Sequence, residues 1–279
     1  MKCFSPLSIV RPGATKSKSA DRITVPCGKC AACLQNRRSA WSFRLYEELR
    51  ASTFSSFVTL TYDENNLPNP PFLQRHDLTL FLKRLREHQV RKVILPHSGE
   101  KVSKIKYYAV GEYGGRFGRP HYHIILFNCS PGIDIQKIWN KGMVHVGKVT
   151  SASIHYVTGY VINDSDELDI PKNVREFSVM SKNLGISYLD NYKWNKKELR
   201  DYVISKSGHR QKLPRYYRDK IFNVVEKIGF VNEKQKYADE LWFKEIENEN
   251  YFVEQIAKNN DYARRIRKKK NDSNRIKTI

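Results

Sequence analysis

Two strand-like runs joined by a glycine-rich turn constrain this chain more than any other feature. Ile105–Tyr113 and His121–Phe127 read as strands, and Gly114-Gly115-Arg116-Phe117-Gly118-Arg119 between them reads as a turn, so an antiparallel pair is expected. Upstream, Phe57-Val58-Thr59-Leu60-Thr61-Tyr62 alternates strictly. Val58, Leu60 and Tyr62 share one face and Thr59 and Thr61 the other, as in a half-buried strand. Met143–Val149 supplies a fourth strand. Helical spacing appears over 34–50 (Leu34, Trp41, Leu45, Leu49), in Leu78, Phe81, Leu82 and Leu85, briefly near 134–140, and from Ser151 or Ser153 to about Ile162. The order strand, helix, strand, strand, helix, strand, helix predicts an α+β fold, an antiparallel sheet with helices on one face. Three regions are expected: a cysteine-bearing segment with its helix at 1–50, the main domain at 51–230, and a charged helical extension at 231–279.

The histidines give that hairpin chemical content. Residues two apart on a strand point the same way, so His121 and His123 project together, away from Tyr122, Ile124 and Leu126. Glu112 lies nine residues before His121, across the turn, where a carboxylate can face both imidazoles. Two histidines and a carboxylate leave half an octahedron open for water and a phosphate oxygen, which suits Mg²⁺ or Mn²⁺. The plainer alternative makes Glu112 a surface carboxylate beside Arg116 or Arg119. On the following helix, Tyr156 and Tyr160 are four apart and share a face, with Ile154, Val157 and Val161 towards the other side. Phenols there are candidate nucleophiles, although packing tyrosines would look the same. A phenol with a pKa of ~10 needs help to attack anything at neutral pH.

Fifty Lys and Arg against 29 Asp and Glu leave a formal charge of +21, which points to a polyanionic partner more than to a basic surface kept for solubility. Sixteen Tyr and thirteen Phe interleave with these cations and can stack on exposed bases. No run of eighteen apolar residues occurs, so no membrane association is expected. Cys27, Cys30 and Cys33 have Cys-x-x-Cys-x-x-Cys spacing, and Cys3 can return as a fourth ligand. Tetrahedral structural Zn²⁺ fits such a set, with an iron–sulfur cluster or unligated thiols as alternatives. Cys129 reads as a core residue. The tail Arg264-Arg265-Ile266-Arg267-Lys268-Lys269-Lys270 reads as either a DNA-backbone contact or a solvated helix end.

Taken together and in this order, the Phe-Val-Thr-Leu-Thr-Tyr strand, the His-Tyr-His strand and the Tyr-x-x-x-Tyr helix resemble the HUH endonucleases of rolling-circle replication. Pro26-Cys27-Gly28-Lys29-Cys30, Gly111-Glu112-Tyr113-Gly114 leading into Arg119-Pro120-His121-Tyr122-His123, and Glu176–Ser181 are similar to the initiators of microviruses, especially the gokushovirus branch. The resemblance covers roughly residues 3–190. It implies a ferredoxin/RRM-like HUH nuclease fold and a nickase of single-stranded phage origin DNA in the cytoplasm of an infected bacterium. His121 and His123 would bind the divalent ion with Glu112 as third ligand. Tyr160 or Tyr156 would attack the scissile phosphodiester, leaving a 5′-phosphotyrosine and a 3′-OH for a host polymerase, with a host helicase opening the duplex and the strand later rejoined. Single-tyrosine relatives keep the second position, which favours Tyr160. Related initiators carry lysines within and after the tyrosine motif where this chain has Gly159 and Asn163, so Lys172 or Lys182 would have to substitute. Arg116, Arg119, Lys172 and Lys182 are then the expected DNA contacts. Two rivals stand beside this reading: a non-catalytic single-stranded nucleic-acid-binding protein, and a metal-dependent hydrolase using activated water.

Overall fold

The computed structural model describes residues 3, 5–10, 22–89, 104–114, 118–159, 174–192, 196–204, 208, 210–233 and a few single positions beyond. The chain divides into two compact units, residues 41–191 and residues 1–40 with 192–279. The sequence division at 1–50, 51–230 and 231–279 does not contain this grouping of 192–230 with the N-terminal segment.

The 41–191 unit is built on one sheet. Its strands are β3 (Ser55–Thr61), β4 (Lys106–Tyr113), β5 (Pro120–Phe127), β6 (Val144–Gly147) and β7 (Phe177–Met180), in the order β6-β3-β5-β4-β7. All four neighbouring pairs are antiparallel. The α+β class is as expected; β7 was not anticipated, because four residues are too few to show a period.

Alternation along the strands separates two cores. Val58, Leu60, Tyr122, Ile124 and Leu126 face helix α2 (Arg75–Gln89), which buries Leu78, Phe81, Leu82 and Leu85, and helix α3 (Ile135–Trp139), which buries Trp139. Tyr108, Val110, Ile125 and Phe127 face the opposite way, onto Leu45 of helix α1 (Ala31–Ala51) and Ile154 and Val157 of helix α4 (Ser151–Gly159). Helices therefore cover parts of both faces, where one covered face was expected. The reason is visible in β4 and β5: their alternate positions are apolar on both sides of the sheet, so neither face is left polar.

Two buried polar groups fix elements around the sheet. On the α2 side, the Tyr122 hydroxyl donates to the Gln74 carbonyl at 2.9 Å and accepts from the Gln74 N–H at 3.0 Å, and the Tyr62 phenol lies 2.9 Å away. On the other side, the Lys106 ammonium donates to Glu48 of α1 at 2.8 Å, and the same carboxylate accepts from the Gly185 N–H at 2.7 Å. These bonds satisfy groups whose burial would otherwise cost about 1–3 kcal/mol each.

In the other unit, β1 (Leu7–Val10) and β2 (Arg22–Val25) form a hairpin within a segment expected to be irregular. A second hairpin joins β8 (Tyr202–Ile204) to β9 (Arg210–Lys212), followed by helix α5 (Arg215–Ile221). Among the described residues, no helix is long and apolar enough to cross a membrane.

Candidate metal centre and tyrosine site

Register brings the predicted ligands together. β4 and β5 pair so that Glu112 lies directly opposite His121, and Val110 opposite His123. The connecting turn closes through the Gly114 N–H donating to the Arg119 carbonyl at 2.9 Å. Glu112, 1% exposed, points its Oε1 at both imidazoles, 2.6 Å from His121 Nε2 and 3.0 Å from His123 Nε2. The three ligand atoms lie within 4.8 Å of one another. Adjacent donors of an octahedral cation with ~2.1 Å bonds stand ~3.0 Å apart, so the spacing fits a small divalent ion.

The second nitrogens of the imidazoles are also tied down. His121 Nδ1 donates to the Arg119 carbonyl at 3.1 Å, an acceptor that can never donate. The neutral ring then presents a bare Nε2 lone pair to a carboxylate oxygen, and only a positive charge between them makes that arrangement favourable. His123 Nδ1 lies 2.9 Å from Thr59 Oγ1, and the Phe57 ring stacks on the His123 ring at 5.4 Å and 3°. Burial alone would raise the Glu112 carboxyl. Hydrogen bonds from His121 and His123, with their charge, outweigh it and hold the group well below the usual carboxylate range.

Tyr156 enters from α4. The helix begins where Thr150 and Ser153 cap each other: the Thr150 N–H donates to Ser153 Oγ at 2.7 Å, and the Ser153 N–H to Thr150 Oγ1 at 3.2 Å. Ile154 and Val157 are fully buried, and Thr158 Oγ1 lies 3.1 Å from Ser42 Oγ of α1, which fixes the rotation of the helix. Tyr156 is thereby turned inward. Its phenol donates to Glu112 Oε1 at 2.5 Å and lies 3.3 Å from His123 Nε2. Burial first, then the charge of Glu112 and its hydrogen bond, push this phenol well above the ordinary tyrosine range, with Glu176 adding to the effect. Glu176 itself accepts from the Tyr113 N–H at 3.5 Å, a second carboxylate beside the site.

Of the other expected site residues, Arg119 pairs with Glu64 at 2.5 Å and donates to the Tyr62 carbonyl at 3.0 Å. Lys182 is exposed. Tyr160, Arg116, Lys172 and residues 265–270 lie outside the described residues. Thr59 and Phe57 escaped the sequence reading as site residues, because nothing but strand register shows which histidine they meet.

The four cysteines of the N-terminal segment also converge. Cys3 and Cys30 sulfurs are 3.8 Å apart, Cys27 and Cys33 sulfurs 4.0 Å, and all four lie within 4.8 Å of one another. A tetrahedron with Zn–S bonds of ~2.3 Å has edges of ~3.8 Å, so the set fits a single tetrahedral ion. The Cys30 and Lys29 backbone N–H groups lower the Cys27 thiol, whereas burial pushes Cys33 up to about 12. Cys129 is 8% exposed in the core beneath α2, as expected.

Residues 55–165, which carry the whole Glu112, His121, His123 and Tyr156 cluster, match the family model of the ORF2-type replication-associated proteins. The chain is 29% identical over 252 residues to the replication-associated protein VP4 of Bdellovibrio phage phiMH2K, covering 78% of this chain and 76% of that protein. It is 29% identical over 274 residues to replication-associated protein ORF2 of Spiroplasma virus 4, covering 87% and 77%. Identity to replication-associated protein ORF4 of Chlamydia phage 1 is 30% over 231 residues, covering 72% of this chain and little more than half, 54%, of that protein. No solved structure matches the chain. Fold, site and relatives together define a phage replication-associated protein. The chain belongs with the microvirus-type replication proteins, as the resemblance implied.

Proposed function

We propose that this protein starts phage replication by nicking single-stranded origin DNA with a tyrosine nucleophile and later rejoins the strand. One observation carries the reading: the Tyr156 hydroxyl, Glu112, His121 and His123 meet in one place, with the phenol 2.5 Å from the carboxylate that both imidazoles share.

Glu112, His121 and His123 would hold Mg²⁺ or Mn²⁺, which when bound supplies positive charge against the phosphate oxygens and against the phenolate. The residues do the rest. Tyr156 gives up its proton and its oxygen attacks phosphorus in line. The phosphorus–O3′ bond breaks, the phosphorus–O(Tyr) bond forms, and the departing 3′ oxygen takes up a proton. The products are a 5′-phosphotyrosine and a free 3′-OH that a host polymerase can extend. Rejoining is the reverse, with a 3′-OH attacking the phosphotyrosine. Positioning and charge neutralisation provide most of the acceleration. Tyr156 is taken as the first nucleophile because its hydroxyl reaches the ligand set; Tyr160 is the candidate for a second cleavage. Arg119, Lys182, Arg116 and Lys172 are proposed as backbone contacts, with the formal charge of +21 attracting the strand. A host helicase and the cytoplasm of the infected cell complete the proposal. The four cysteines are proposed as a Zn²⁺ site that ties the N-terminal segment together.

Incubating the protein with an origin-bearing single-stranded oligonucleotide and Mn²⁺ tests this. A covalent protein–DNA adduct is expected. A salt-sensitive complex without any adduct would instead fit the non-catalytic binder, and cleavage with no adduct the water-using hydrolase.

A further inference from the structure

We infer that Thr59 is a positioning residue of the cation site: its hydroxyl holds His123 in the tautomer and rotation that aim Nε2 at the ion. The inference rests on the reading of Glu112, His121 and His123 as the ligand set.

The two histidines are held differently. His121 leans on a main-chain carbonyl, that of Arg119, which no side-chain substitution removes. His123 leans on a side chain: β3 and β5 pair with Thr59 opposite His123, and Thr59 Oγ1 lies 2.9 Å from Nδ1. Phe57, two residues earlier on the same face of β3, stacks on the His123 ring at an interplanar angle of 3°. Phe57 thus sets the plane of the ring and Thr59 its rotation within that plane, leaving Nε2 3.0 Å from Glu112 Oε1. A hydroxyl both donates and accepts. When Nε2 offers its lone pair to a cation, Nδ1 must carry the ring proton, and Thr59 Oγ1 is the acceptor in place for it. Orienting partners of this kind are worth roughly 10–100-fold in metal affinity.

Thr61 provides an internal contrast. It stands opposite His121 in the same pairing, yet its hydroxyl donates to the Met143 carbonyl at 3.2 Å. Two threonines on one face of one strand therefore have different duties: Thr61 ties β3 to the residue preceding β6, and Thr59 serves the ligand. This assigns a chemical purpose to the Phe-x-Thr part of the Phe57–Tyr62 strand.

The test is a Mn²⁺ titration of the full chain followed by electron paramagnetic resonance, with Cys27, Cys30 and Cys33 left intact. Thr59→Val is expected to weaken Mn²⁺ binding about tenfold or more, Thr59→Ser to keep it near wild type, and Thr61→Val to leave it unchanged. Should Thr59→Val fail to fold in thermal melts, Thr59→Ala is read in its place with the same expectation. Wild-type affinity in the hydroxyl-free variant overturns the inference while leaving the ligand set standing. So does a Thr59→Ser variant as weak as Thr59→Val, since the hydroxyl would then not be the acting group. A wild-type chain that retains no Mn²⁺ defeats the ligand-set reading itself, and the inference with it.

Discussion

Glu112 accepts hydrogen bonds from three side chains at one oxygen while 1% exposed, and such a carboxylate is stable only among positive charge or donors. Glu112→Gln keeps the volume and removes the charge. We expect at least a roughly tenfold loss of Mn²⁺ affinity, read by the same titration, and nicking reduced in step; unchanged affinity would remove Glu112 from the ligand set. His121→Ala and His123→Ala are expected to abolish nicking yet leave most of the salt-sensitive binding of single-stranded DNA, measured by fluorescence anisotropy. If binding and cleavage fell together, the histidines would be structural. At this scale the sequence was informative where one strand sufficed. The shared face of His121 and His123 follows from spacing, and Glu112 from the length of the turn. Thr59 and Phe57 were not legible, because their partners depend on the register of β3 against β5, which no local pattern encodes.

Strands and helices carry the next level. Long amphipathic elements were readable: α2 lies where Leu78, Phe81, Leu82 and Leu85 placed it, and β3, β4 and β5 within a residue or two of their alternation. The four-residue strands β1, β2 and β7 and the three-residue strands β8 and β9 were not, since so few residues set no period. Helices on both faces were missed for a related reason. The pattern says that a face is apolar but not which helix meets it. Gly142 is a position where an element boundary depends on one residue. It sits at φ 149°, and a Cβ there would stand 2.3 Å from the Thr61 carbonyl oxygen and 2.5 Å from the Asp63 nitrogen. Gly142→Ala must push β6 off β3, at a cost of about 2 kcal/mol or more. Chemical denaturation should show that loss, and wild-type stability would mean that the turn relaxes freely. Tyr122→Phe strips the hydroxyl from the Gln74 main chain on the face opposite the ligands, which should cost about 1–3 kcal/mol by the same measurement.

Over the whole molecule, charge and chemistry separate. The excess of 21 positive charges is a property of composition, legible at once, and it predicts steep weakening of DNA binding with salt, about 0.7 in logarithmic slope per phosphate neutralised on a single strand. The chemistry belongs to one cluster within the 41–191 unit, and the cysteine set to the other unit. Cys27→Ser should therefore lower the zinc content found by elemental analysis, and an unchanged content would take the cysteines out of the metal account. The division of labour between the tyrosines stays beyond the sequence, since Tyr156 and Tyr160 share a helix face and only the described fold around Tyr156 shows a phenol at Glu112. The most direct measurement is peptide mapping by mass spectrometry of the adduct formed with an origin-bearing single strand and Mn²⁺. The account predicts a nucleotide 5′-phosphate on Tyr156, lost in Tyr156→Phe and in His123→Ala. An adduct on a residue away from this helix, or one that survives removal of His123, would contradict it.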